Sequence, residues 1–128
     1  MSSHNALLKH VSIAAEDRSL VAKFVLEENI PGQGAYVVGL MAATSDYSHQ
    51  RRLGIEFMNG KAVSFYYFNH EGTEENFDLK GVEHSANTIT GHFPLSTIMG
   101  LAKGHLITAF SDCDGRDFQS NVPVEEAL

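Results

Sequence analysis

Apolar residues along this chain recur at every second position more often than at every third or fourth, the spacing of a strand with one buried face. Leu7, Val11, Ile13 and Ala15 fall on one side of a first segment, with His10 and Ser12 opposite. A polar turn over Glu16-Asp17-Arg18-Ser19 leads into a second segment that aligns Leu20, Ala22, Phe24 and Leu26, with Lys23 and Glu27 on its other side. These two segments predict a hairpin with one wet face. Pro31, Gly32 and Gly34 interrupt the pattern, and residues 35–43 then run apolar on both sides, as a central strand does.

The sharpest local signal is Asn59-Gly60, two residues that tolerate positive φ and favour the type I′ turn of a two-residue hairpin. Strands are expected to enter it from Arg51 and leave it to Asn69, with further strands over residues 76–82, 87–93, 105–112 and 118–124. Pro94 closes one of these because it has no N–H for the ladder, and Pro123 assigns the last to a sheet edge. The single helical candidate covers residues 95–102, with Ser96 as N-cap, and Gly100 and Gly104 hold it to a turn or two. Short strands between turn signals predict an all-β fold: an antiparallel β-sandwich, immunoglobulin-like or jelly-roll, or a flattened barrel, with at most one short helical turn near residues 95–102. No linker, internal repeat or low-complexity run divides residues 1–128, which read as a single sandwich domain.

If Asn59 and Gly60 are the whole loop, the register of the flanking strands follows. Phe57 then faces Ala62, Ile55 faces Ser64, Gly54 faces Phe65, Leu53 faces Tyr66 and Arg52 faces Tyr67. One side carries Leu53, Ile55, Phe57, Ala62, Tyr66 and Phe68 and reads as core. The other carries Arg52, Gly54, Glu56, Val63, Phe65 and Tyr67, where one ring covers the glycine and the arginine stands beside another. Stacking, charge and hydrogen-bonding groups on one face are what a small-ligand or peptide site uses, so Arg52, Glu56, Phe65 and Tyr67 are the expected ligand or partner contacts. The same arrangement also serves structure alone, since a ring opposite glycine fills the missing side-chain volume.

Composition narrows the partners. The chain has 128 residues, 43% of them hydrophobic, which is enough for one core and excludes wholesale disorder. Sixteen acidic against nine basic residues leave a formal charge of −7, which repels phosphate backbones and anionic lipid, so neither nucleic acid nor membrane is expected as a partner. The N-terminal stretch has no apolar core of a secretory signal, and residues 35–43 are far shorter than the roughly 20 that span a bilayer; a cytoplasmic protein is expected. The lone Cys113 excludes an internal disulfide.

Candidate chemistry is sparse. Asp112, Asp114 and Asp117 surround a tight turn and make a calcium candidate, since calcium takes several oxygen ligands from one loop. The order departs from an EF-hand and Arg116 intrudes, so Asp114-Gly115 reads first as turn chemistry. Seven His residues include no HxH or HExxH, although His84, His92 and His105 all sit on or beside strands. Cys113 lies between Asp112 and Asp114, whose charge opposes a reactive thiolate. No G-x-S-x-G elbow is present, and Gly32-Gln33-Gly34 lacks the rest of a phosphate-binding pattern. No cofactor and no resident metal are expected. These features favour a non-enzymatic binding or protein-interaction module that engages a protein or small ligand through its aromatic sheet face or its end loops, with residues 31–34 and 44–50 bordering one end. Two alternatives stand beside it: a homo-oligomeric structural subunit whose Phe65 and Tyr67 face is covered by another copy, and a small enzyme with a convergent His/Asp/Glu site.

Overall fold

The alternating segments form strands in the computed structural model of the chain, which describes residues 7–16, 19–44, 50–69, 74–94, 105–113 and 116–127. In chain order they are β1 (Leu8–Glu16), β2 (Ser19–Leu26), β3 (Ala35–Thr44), β4 (Gln50–Met58), β5 (Lys61–Asn69), β6 (Glu74–Asn76), β7 (Val82–Ser85), β8 (Thr88–Pro94), β9 (His105–Cys113), β10 (Arg116–Pro123) and β11 (Glu125–Ala127). One sheet has five strands in the order β11-β1-β2-β8-β7, and the other has six in the order β10-β9-β3-β4-β5-β6. Neighbours are antiparallel except β11, which lies parallel to β1. The all-β, sandwich-like fold is therefore the one that alternation predicts. β3 takes the central place its two apolar sides require, and β10, which ends on Pro123, is an edge strand.

Two segments depart from expectation. Residues 76–82 are not one strand but the end of β6, a 3-10 turn (Leu79–Gly81) and the start of β7. Here the chain leaves the edge of one sheet for the edge of the other, and the 3-10 turn makes that step. Asp78 caps the turn, its carboxylate accepting from the Lys80 amide at 2.9 Å. The chain crosses between the sheets again at Val124, between β10 and β11, so both sides of the sandwich are spanned by covalent chain. The helical candidate at residues 95–102 lies outside the described residues.

The core lies between the sheets. Val11, Ile13, Leu20, Phe24, Leu26, Ile89 and Phe93 from one meet Tyr36, Val38, Leu40, Leu53, Ile55, Phe57 and Phe65 from the other. Each large apolar side chain enclosed in this way contributes about 1.5–3 kcal/mol. A register shift between Leu8 and His10 brings Leu8 into this layer, where simple alternation points to Leu7. The buried Ser111 hydroxyl donates to Gln119 Oε1 at 3.2 Å, and the same oxygen accepts from the Leu8 amide at 2.6 Å. That bond pair ties β1 to β9 and β10 across the two sheets.

The central hairpin carries the main correction. Its turn forms as expected, with φ of 52° at Asn59 and 81° at Gly60. The Gly34 amide donates to Asn59 Oδ1 (2.9 Å) and the Asn59 amide donates to the Gly34 carbonyl (3.0 Å), which pins the turn to the start of β3. Beyond it, Phe57 pairs with Ala62, but Glu56 pairs with Ser64, Ile55 with Phe65, Gly54 with Tyr66, Leu53 with Tyr67 and Arg52 with Phe68. Val63 has no partner in the ladder: it is the extra residue of a β-bulge, and every later side chain of β5 changes face. The bulge lets Ala62 and Phe65, three positions apart, both point inward.

Candidate functional site

The corrected register divides the expected contact residues between two faces. Arg52 and Glu56 stay on the outer face of the six-stranded sheet, whereas Phe65 and Tyr67 turn into the inter-sheet layer. Phe65 is 2% exposed, with ring centroids 4.7 Å from Phe93 and 5.3 Å from Phe77. Tyr67 packs half-buried against the same cluster. The set Arg52, Glu56, Phe65 and Tyr67 is thus not one surface. The face expected to be covered by another copy of the chain is covered by the chain's own second sheet.

What occupies the outer face instead is built on two glycines. Gly39 of β3 pairs with Gly54 of β4, Phe110 of β9 pairs with Gly39, and Tyr66 of β5 pairs with Gly54. Four neighbouring strands therefore present ring, glycine, glycine, ring in one row. Each ring folds inward over the glycine beside it. A Cβ on Gly39 would stand 2.6 Å from Phe110 Cζ, and one on Gly54 would run into Tyr66 Cζ and Oη. Only the absence of both Cβ atoms lets the rings lie against the backbone. Phe110 is consequently 5% exposed although it projects from the outer surface. The Arg52 guanidinium carbon lies 4.7 Å above the centroid of the Phe110 ring, a cation–π contact.

The rows on either side supply charge. Arg52 pairs with Phe68, which pairs in turn with Glu74 of β6; on the other side Glu56 pairs with Ser64, and Asp112 lies across Val37. Phe68 is 40% exposed. The Tyr66 hydroxyl ionises above its ordinary value, chiefly because it is half-buried; Arg52 opposes the shift, and Asp112, Glu56 and Glu74 add to it. At neutral pH this phenol is a neutral donor and acceptor. The signal that sequence reasoning missed was Gly39, which sits mid-strand beside Gly54 and marks a place where rings approach the backbone.

Among the described residues the remaining candidates separate rather than converge. His84 lies on the inner side of β7 with its ring 5.2 Å from that of Phe57, while His92 projects from the other side of the sheet, where its Nε2 lies 3.0 Å from Glu83 Oε2. The His105 side chain lies outside the described residues, as do Asp114 and the side chain of Asp117. Asp112 is half-buried, and among the described residues no three His, Cys, Asp or Glu side chains are placed to hold a metal ion. Cys113 is half-buried at the end of β9, paired in register with Tyr36. Of the two expected end loops, residues 45–49 lie outside the described residues. Residues 31–34 lie beside the Asn59-Gly60 turn at the start of β3, whereas Thr44 is at its far end, ten residues and roughly 30 Å along the strand.

A concavity of about 630 Å³ runs between β1 and the β10–β11 crossing, lined by Leu8, Val11, Gln119, Val122 and Val124, with His10 Nε2 2.9 Å from Glu125 Oε2 at its rim. Among the described residues no helix is long and apolar enough to cross a membrane. Comparison with family models, curated proteins and solved structures finds no match to this chain.

Proposed function

We propose that the chain is a non-enzymatic binding module whose recognition surface is the outer face of the six-stranded sheet, centred on Tyr66, Phe68 and Arg52. The observation that carries this reading is the paired glycine row. It lays one aromatic ring flat on each side of the sheet's middle and so makes a broad, shallow platform on rigid strands. Rigid rings present large contact area at low entropic cost, which is why aromatic and Arg side chains dominate protein recognition. The exposed Phe68 ring adds apolar area beside the charged groups.

The test is selection of a displayed peptide library on the full chain, followed by affinity measurement on variants. Phe68→Ser alters an exposed ring and leaves the core intact, and is expected to weaken selected peptides by more than about 1 kcal/mol. Thr90→Ser, on the outer side of the other sheet, is expected to change nothing. A library that yields no binder, or binders indifferent to Phe68→Ser, overturns the proposal.

A further inference from the structure

The charges around the platform indicate what it takes. Glu56 is half-buried and Glu74 exposed, and among the described residues neither is in a salt bridge. Arg52 stands in the same neighbourhood, yet its guanidinium rests over Phe110 rather than against a carboxylate. The face therefore already holds one cation on one of the two rings in its glycine row. The other ring, Tyr66, has its underside on Gly54, and among the described residues no cation lies over it. Lys61, at the hairpin end, stands in register opposite Met58.

Register gives the spacing. Glu56 lies one row to one side of the Tyr66 row, and Glu74 one row to the other side. Successive rows on one face of a sheet are about 7 Å apart, and alternate side chains of an extended peptide repeat at that same distance. A segment running along the strands thus sets every second residue over successive rows of this platform.

From this geometry we infer that the occupant of the face is an extended segment of a protein partner carrying Lys or Arg at alternate positions, with one cation over the Tyr66 ring between Glu56 and Glu74. The inference rests on the reading of this face as a binding surface and adds the partner's chemistry to it. A cation so placed meets a ring face and a carboxylate on either side, and the chain's overall charge of −7 draws it in from a distance.

The experiment titrates the full-length chain with a short peptide bearing lysine at alternate positions and, in parallel, with the same peptide carrying glutamine in their place, following backbone amide shifts. The lysine peptide is expected to bind, to weaken as salt is raised, and to shift amides of β4 and β5. Glu56→Gln and Glu74→Gln are each expected to reduce its affinity about two- to fivefold, as single exposed charge pairs do. The inference is overturned if the lysine peptide does not bind, if the glutamine peptide binds as well, or if the doubly substituted chain keeps full affinity. Salt-independent binding of both peptides that still maps to β4 and β5 sinks the charge argument and leaves the binding face standing. Shifts confined to the other sheet or to the β1–β10 concavity remove the face as well.

Discussion

Replacing Gly39 by alanine tests the glycine row directly. The new methyl group would meet the Leu53 carbonyl within contact distance and stand 2.6 Å from Phe110 Cζ. The carbonyl belongs to the neighbouring strand and yields only with the backbone, and the ring is 5% exposed with Arg52 above it. Relieving the backbone clash costs about 1–3 kcal/mol, as overpacking of a tight site does. Lifting Phe110 into water forfeits about 1.5–3 kcal/mol of burial. Against these, alanine restricts the unfolded chain and returns about 0.4–1 kcal/mol. The net expectation is a loss of about 2–5 kcal/mol, a large share of the roughly 5–15 kcal/mol that holds a domain together. Gly54→Ala meets only the outer end of the half-exposed Tyr66 ring, which can swing toward solvent at about 0.5–1.5 kcal/mol. Gly32→Ala meets nothing within 4 Å and should be neutral or stabilising by up to about 1 kcal/mol. Urea unfolding followed by circular dichroism ranks the three. A Gly39→Ala chain within about 0.5 kcal/mol of the parent, or one more stable than Gly54→Ala, refutes the account of rings seated on bare backbone.

The bulge makes a second ordering. Phe65→Ala should cost about 3–5 kcal/mol and Phe68→Ala under about 1 kcal/mol, and equal losses in urea melts would contradict the shifted register. Alkaline pH gives a third. Tyr36 is fully enclosed, and burial first, then the nearby Cys113, pushes its phenol well above the ordinary 10.0; Tyr66 is raised in the same direction. Each group keeps its proton longer in the folded chain, so the stability it contributes is complete below the unfolded value near 10 and is lost as pH climbs from there toward the folded value. Urea midpoints should therefore fall above about pH 10, and less steeply in Tyr36→Phe; parallel curves for the two proteins would discard this assignment.

Strand positions were legible because most segments alternate cleanly: Leu20, Ala22, Phe24 and Leu26 could face only one way, and all four are buried. Residues 35–43 were legible for the opposite reason, having no polar side to expose. The run Phe65-Tyr66-Tyr67-Phe68 carried no such information. All four are aromatic, so a one-residue slip exchanges one ring pair for another, and the turn alone set the expected register. A turn fixes only the pairs next to it; Met58–Lys61 and Phe57–Ala62 are as expected, and the slip begins at the following position. The convergence of Phe110 with Tyr66 was not legible at all, because it depends on β9 pairing with β3 across more than sixty residues of sequence.

The glycine row also bears on why the outer face has the groups it has. Glycine in a central strand weakens it, by entropy and by the lost side chain, and here two adjacent strands each carry one at the same level. A sheet needing only stability would place β-branched residues at both positions and leave the flanking rings at its edges. Instead the rings are drawn over the middle, and Arg52 is spent on a ring face while Glu56 and Glu74 stand without a salt bridge among the described residues. Ring packing accounts for Phe110, which the arrangement buries. It accounts for only one side of Tyr66, whose ring rests on Gly54 but stays half-exposed with a neutral hydroxyl, and not for Phe68, whose ring is left 40% exposed beside it. On the proposed reading of this face, those two rings would gain further burial from a chain lying across them.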